Sequence, residues 1–286
     1  MKLISKSRAV PYSVSALGIL LALTGTDLQA GAMGPTQVTA PEKVYFGVFG
    51  GGGASNNVDV NVYGVAFFSE INPPFLGPLD INLFGQTDSR SVGMIGGQVG
   101  YQWSELFLNS QFGLSPAVEL EGYYLGQSTF TSHEISNESF LLPMHNFETT
   151  YPLSSGVALG NFVLNLTPAN YTRWHPYLGG GIGAAILSIS DADATQVFPV
   201  EEGVNHFNGN PSNTVATFAA QTKVGLNFDF TEHFSVFAEY RWLYVAQSSF
   251  TFGSTIYPQH VPTSSWNSVF GAQYYNMGSL GARISV

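Results

Sequence analysis

Residues 214–244, TVATFAAQTKVGLNFDFTEHFSVFAEYRWLY, decide the fold. They read as two alternating strands joined by a short turn at 229–232. In the first, Phe218, Ala220, Val224, Leu226 and Phe228 share a face, and Ala219, Gln221, Lys223, Gly225 and Asn227 share the other. In the second, Phe234, Val236, Ala238, Tyr240 and Trp242 oppose Ser235, Phe237, Glu239 and Arg241. Successive strand residues point to opposite sides, so each strand has an apolar face and a partly charged one. A soluble sandwich would bury the apolar face and wet the charged one. We read the reverse here: the apolar faces meet lipid, and Lys223, Glu239 and Arg241 lie inside a closed barrel.

Composition supports that inversion. Only 10% of the 286 residues are charged, against about 25% in a typical soluble domain. Aromatics make up 14%, and there are 32 glycines. No run of about 20 apolar residues follows the N-terminal region, which argues against a helical membrane protein. The first 32 residues have the pattern of a cleaved secretory signal. Lys2, Lys6 and Arg8 precede a short apolar core at 14–24, and Ala30-Gly31-Ala32 supplies small residues for cleavage after Ala30 or Ala32. Residues 33–286 then form one barrel domain. The chain has no cysteine, which excludes disulfides and thiolate metal sites. Its net charge is −10, and loss of the signal removes three basic residues, so nucleic acid is not an expected partner.

Further alternating segments fall at 42–51, 90–103, 114–126, 155–166, 175–190 and 277–286. With the opening pair they make eight strands. Short connections at 104–113, 167–174 and 229–232 alternate with long loops at 55–88, 127–154, 191–213 and 246–267. That asymmetry predicts an all-β, eight-stranded antiparallel transmembrane β-barrel with four long extracellular loops. Such a barrel is just wide enough to be filled by side chains. Glu119 and Glu121, two apart on one strand, face the lumen together. They are expected to join Lys223, Glu239, Arg241 and Arg283 in a self-neutralising polar plug, because unpaired buried charges are costly. Replacing Glu239 with Ala is expected to open the plug and raise conductance. The same two carboxylates have the alternative reading of a catalytic acid–base pair, and a wet lumen would instead make the chain a narrow solute channel.

Other motifs carry less. Gly50–Gly53 is followed by neither Lys-Ser/Thr nor a helix, as a phosphate loop would need, and Gly179–Ala184 (GGGIGA) lacks the helix of a dinucleotide fold. The glycines instead let bulky lumenal side chains pack closely. Asp191-Ala192-Asp193 lacks the spaced ligands of a calcium loop. His133, His145, His175, His206 and His260 are scattered without metal-ligand spacing. No cofactor or metal is expected. His233 and Ser235 have the His-x-Ser spacing of a lipid deacylase pair but fall on the lumenal face.

Three segments resemble the opacity-type, OmpA-like eight-stranded outer-membrane barrels: Pro176–Gly183 (PYLGGGIG), Ala220–Leu226 (AQTKVGL) and Phe237–Trp242 (FAEYRW). The resemblance implies a non-enzymatic, surface-exposed protein of the Gram-negative outer membrane, serving envelope integrity, adhesion or immune recognition. Its partners would be outer-membrane lipid and lipopolysaccharide, the barrel-assembly machinery, and an extracellular or host ligand held by the loops. It also implies that Glu239 and Arg241 are lumenal. Such barrels usually end in an aromatic residue, whereas this sequence ends Ile284-Ser285-Val286, and no peptidoglycan-binding domain is expected after it. The first three long loops hold eleven carboxylates and no Lys or Arg, so an acidic outward surface is expected, one that repels anionic glycans.

Overall fold

The computed structural model of the protein describes residues 42–68, 77–107, 112–139, 142–168 and 173–286. The expected signal at 1–32 lies outside these residues, as do parts of the connections at 104–113 and 167–174. The strands are β1 (Lys43–Ser55), β2 (Asp59–Ala66), β3 (Leu79–Thr87), β4 (Ser91–Gln102), β5 (Leu106–Phe107), β6 (Phe112–Ser136), β7 (Asn146–Pro168) and β8 (Trp174–Ile189). They continue with β9 (Asp193–Phe198), β10 (Val200–Asn205), β11 (Asn213–Asp229), β12 (Phe234–Val245), β13 (Ser248–Phe252), β14 (Trp266–Phe270) and β15 (Gln273–Ser285).

Eight of them close a ring in the order β1-β4-β6-β7-β8-β11-β12-β15, every pair antiparallel. These are the eight expected strands, and the architecture is that of an outer-membrane barrel. Closure leaves no unpaired sheet edge to face lipid. The outward side chains are apolar and exposed: Phe46, Val48, Ile95, Leu120, Phe162, Ile182, Val224, Leu280 and Ile284 among them. On β6 this band runs from Phe112 to Tyr124. At about 3.3 Å per residue and about 40° tilt, that is roughly 30 Å, enough to cross a bilayer core. Aromatics rim both ends. Trp174, Phe228 and Phe230 meet near the short turns, with centroids 4.6 and 5.0 Å apart. At the far end Tyr274 lies between Trp242 and Tyr244, at 5.6 and 5.5 Å.

The long loops differ from expectation. Residues 127–154 are largely strand, because β6 and β7 run 25 and 23 residues and pair out to Ile135↔Asn146. The segment 55–88 holds the β2–β3 hairpin, 191–213 holds β9 and β10, and 246–267 holds β13 and the start of β14. Together they form an outer sheet, β10-β9-β7-β6-β3-β2-β14-β13, that continues the barrel wall beyond the apolar band. Its ends approach one another: the amide of Gly253 donates to the carbonyl of Asn210 at 2.8 Å, and Asn213 Nδ2 donates to the carbonyl of Thr251 at 2.8 Å.

The cause is a reversal of polarity at a β-bulge. On β6 the pairing steps from Leu125↔Ser155 to Ser128↔Leu153. The extra residue moves the inward set from odd to even positions. Below the bulge Val118, Leu120 and Tyr124 point out; above it Thr129, Thr131 and His133 point out, and Phe130, Ser132 and Glu134 are buried. A wall that turns polar outward and apolar inward has left the membrane for water. The outer sheet therefore encloses a hydrophobic core: Val60, Val62, Leu83, Phe130, Tyr151, Phe207, Phe250, Phe252 and Phe270 are all buried.

Candidate functional site

Two sites stand out, one within the barrel ring and one in the outer sheet. The first is in the membrane-spanning lumen, where all six expected charged side chains come together. Lys223 pairs with Glu119, lies 3.0 Å from Glu121 and lies 3.6 Å from Glu239. Arg241 pairs with Glu121 and Glu239, and Arg283 reaches Glu119 at 3.4 Å. Three carboxylates thus face three cations, all buried. Neutral groups add further hydrogen bonds. Tyr45 donates to Glu119 at 2.6 Å and Tyr177 to Glu239 at 2.9 Å. Gln221 donates to Glu121 at 3.2 Å and to Asn161 at 2.8 Å. With its amide oxygen facing Arg283, Gln98 accepts from Nε and Nη2 at 2.6 and 2.8 Å. The guanidinium faces rest on aromatic rings, Arg241 on Phe49 at 4.1 Å and Arg283 on Phe237 at 4.5 Å, which suits a weakly hydrated cation.

Glycines make room for this arrangement. Gly100 and Gly225 sit opposite Tyr45 and Tyr177 in the strand register. A Cβ at either would strike the tyrosine ring, so the missing side chain lets each phenol lie flat and reach its carboxylate. Gly179–Ala184 is likewise part of strand β8, and no helix follows it.

A cluster of buried aromatic rings, not foreseen in the sequence, stands above the charged cluster. Phe207 and Phe252 stack at 4.6 Å, and Tyr151 meets Phe270 edge-on at 4.8 Å. Below the plug, a polar cavity of about 250 Å³ is lined by Lys43, Gln102, Asn165, His175 and Asp229 among others. Ser235 lines this cavity, whereas His233 Nδ1 meets the Ser285 carbonyl at 3.1 Å, so the two make no catalytic pair.

The expectation that the loop carboxylates all face outward is corrected by Glu134. It is 1% exposed, inside the outer sheet. Thr149 and Tyr151 donate to it at 3.0 and 3.1 Å, with no cation among its described partners. Burial pushes its carboxyl up to about 7.

The second site is a cavity of about 300 Å³ in the outer sheet. All four long segments contribute to its walls, with Ala66 and Ile81 from the first, His145 and Phe147 from the second, Glu201 and His206 from the third, and His260 and Trp266 from the fourth. Three of the histidines expected to be scattered, His145, His206 and His260, line this cavity together. The ligating atoms of Glu201, His206 and His260 lie within 4.8 Å of one another. Glu201 Oε2 is 3.4 Å from His206 Nε2 and 3.6 Å from His260 Nε2. Burial holds His206 down at about 4, so its imidazole is neutral at pH 7. Fifty-four residues separate His206 from His260 in sequence, so no motif spacing could have joined them; only the fold of the third and fourth segments does.

Comparison with known proteins adds shape alone. No protein-family model and no curated protein sequence matches the chain. In backbone fold it is similar to Neisserial surface protein A, at 13% identity over 84% of this chain and 96% of that one, with a TM-score of 0.33. It is similar to OprG from Pseudomonas aeruginosa at 12% identity over 83% and 95%, TM-score 0.34. The outer membrane protease OmpT from Escherichia coli is similar at 8% identity over 88% and 99%, TM-score 0.37. Scores this low carry no functional argument. The assignment to outer-membrane-type barrels rests on the closed ring and its apolar exterior.

Proposed function

We propose that the protein is a non-enzymatic, surface-exposed barrel of the Gram-negative outer membrane, exported by a cleaved signal, in which a sealed stem holds a folded extracellular cap. The observation that carries this reading is the plug: three carboxylates matched to three cations inside the stem. The aromatic seal above supports it. A lumen filled twice over is built for rigidity rather than passage. The stem's partners are outer-membrane lipid, lipopolysaccharide and the barrel-assembly machinery.

The cap is then the functional end, of the structural or adhesin type. Asp59, Asp80, Glu138, Glu148, Asp193 and Glu202 are exposed on it, so its field favours a basic extracellular partner. At the tip of the β9–β10 hairpin, Val197, Phe198 and Val200 are exposed, 45–71% of each surface; an apolar point in an acidic surround suits attachment to a protein. The alternative is a narrow channel, favoured by the polar cavity below the plug. Planar-bilayer recording of the refolded chain separates them: a silent barrel supports the sealed stem, and ion-selective steps support the channel.

A further inference from the structure

The cap cavity brings three side chains of metal-ligating type to one point. His206 donates Nδ1–H to the Ala194 carbonyl at 2.9 Å, and His260 donates Nδ1–H to the Val261 carbonyl at 2.7 Å. Each ring's Nδ1 is thus engaged by a backbone carbonyl, and the two Nε2 atoms are left to face the cavity. Both point at the carboxylate oxygen of Glu201, at 3.4 and 3.6 Å. Two imidazole nitrogens and a carboxylate oxygen therefore converge within 4.8 Å of one another, and no Lys or Arg is present among the described residues lining the cavity. Backbone carbonyls that fix the far nitrogen of a histidine are how metal-ligating imidazoles are oriented.

We propose that Glu201, His206 and His260 form a binding site for a divalent transition-metal ion of the zinc class, carried on the extracellular cap. An ion about 2.0–2.2 Å from each ligand places tetrahedral ligand atoms roughly 3.3–3.6 Å apart. The two Glu–His pairs already stand at that separation. The third pair lies within 4.8 Å and needs an inward shift of about 1 Å. Two imidazoles and one carboxylate select zinc, cobalt, nickel or copper over calcium or magnesium, which prefer all-oxygen shells. Three protein ligands leave a coordination position open toward the cavity, the pattern of a site that accepts a further ligand rather than a closed structural one. His145 lines the same cavity, with its Nδ1 donating to the Pro143 carbonyl at 2.6 Å. The proposal is independent of whether the stem conducts.

The test uses the refolded full-length mature chain in detergent or nanodiscs, titrated with Zn²⁺ by calorimetry and with Co²⁺ by visible absorption. One equivalent bound, with the intense absorption of four-coordinate Co²⁺ and no response to Ca²⁺, is the expected result. His206→Ala and His260→Ala should each weaken binding by about 100-fold or more, since loss of even an outer-shell partner costs about 10–100-fold. His133→Ala, at an exposed histidine elsewhere on the cap, should leave affinity unchanged. Retention of the heat-modifiable gel shift by each variant shows that the barrel has folded. If a His206→Ala variant misfolds, Glu201→Gln is the milder probe and should weaken binding by about 10-fold. Absence of stoichiometric binding, or equal loss in His133→Ala, would overturn the site.

Discussion

The stem and the cap bury opposite kinds of interior behind one continuous wall. In the stem the outside is apolar and the inside holds six charges; in the cap the outside is acidic and the inside is aromatic. The same strands, β6 and β7, serve both regions; β7 keeps its odd-numbered residues inward throughout and β6 restores its inward face with one bulge, so the difference lies in which residue types occupy each face. The stem needs no hydrophobic core, because lipid already takes its apolar face; its interior is held by ion pairs that must balance. The cap stands in water and needs a core of the usual kind. Function follows the same division: the stem's charges pair with one another, whereas the cap keeps Glu134 with no cation among its described partners and gathers Glu201, His206 and His260 around one cavity.

The contrast is broken most strongly by unbalancing the stem. Arg241→Met leaves three buried carboxylates against two cations and should cost about 3–5 kcal/mol, the range for breaking a buried ion pair by removing one partner. Adding Glu239→Gln should recover part of that loss. Denaturant midpoints of the three variants, read by gel mobility, give the coupling; equal loss in single and double variants would contradict charge balance. In the cap the equivalent injury is steric. Phe252→Ala removes a ring stacked on Phe207 and should cost about 3 kcal/mol. Hydrogen exchange should then rise in β13 and β14 while the ring strands stay protected.

A smaller effect depends on pH. The Glu134 carboxyl is raised in the folded cap from 4.5 to about 7. A raised carboxyl favours folding below the unfolded-state value, and that advantage is lost as pH rises through 7. The cap should therefore loosen between pH 5 and pH 8, by on the order of 2 kcal/mol. Glu134→Gln should flatten that dependence and be the more stable form at pH 8; limited proteolysis at the two pH values reads it out. The smallest effect is expected at His133, whose exposed ion pair with Glu148 spans 3.8 Å. His133→Ala should change stability by less than about 0.5 kcal/mol.

The stem was legible in the sequence because an apolar outward face recurs along all eight strands and the charges of β6, β11, β12 and β15 fall on the opposite one. Glu119 and Glu121 declared a shared face by their spacing, and the plug assembled from residues named individually. The cap was not legible, because that pattern reverses at the Leu125–Ser128 bulge. Thr129, Thr131 and His133 look like loop to a search for an apolar outward stripe. Alternation of Phe147, Thr149, Tyr151 and Leu153 on β7 was the available signal, with polar Glu148 and Thr150 between. The Glu201–His206–His260 cluster left no trace in spacing, since it depends on two segments meeting across the cap.

Two seals in series also sharpen the expectation for Glu239→Ala. Opening the plug leaves the stack of Phe207, Phe252, Tyr151 and Phe270 in place, so conductance should rise fully only when the cap is cut back as well. The decisive measurement is single-channel recording of the refolded chain in a planar bilayer, compared with Glu239→Ala carrying a shortened β13–β14 segment. The account predicts silence from the parent barrel and steps from the doubly altered one. Reproducible ion-selective steps from the parent barrel would contradict the sealed stem.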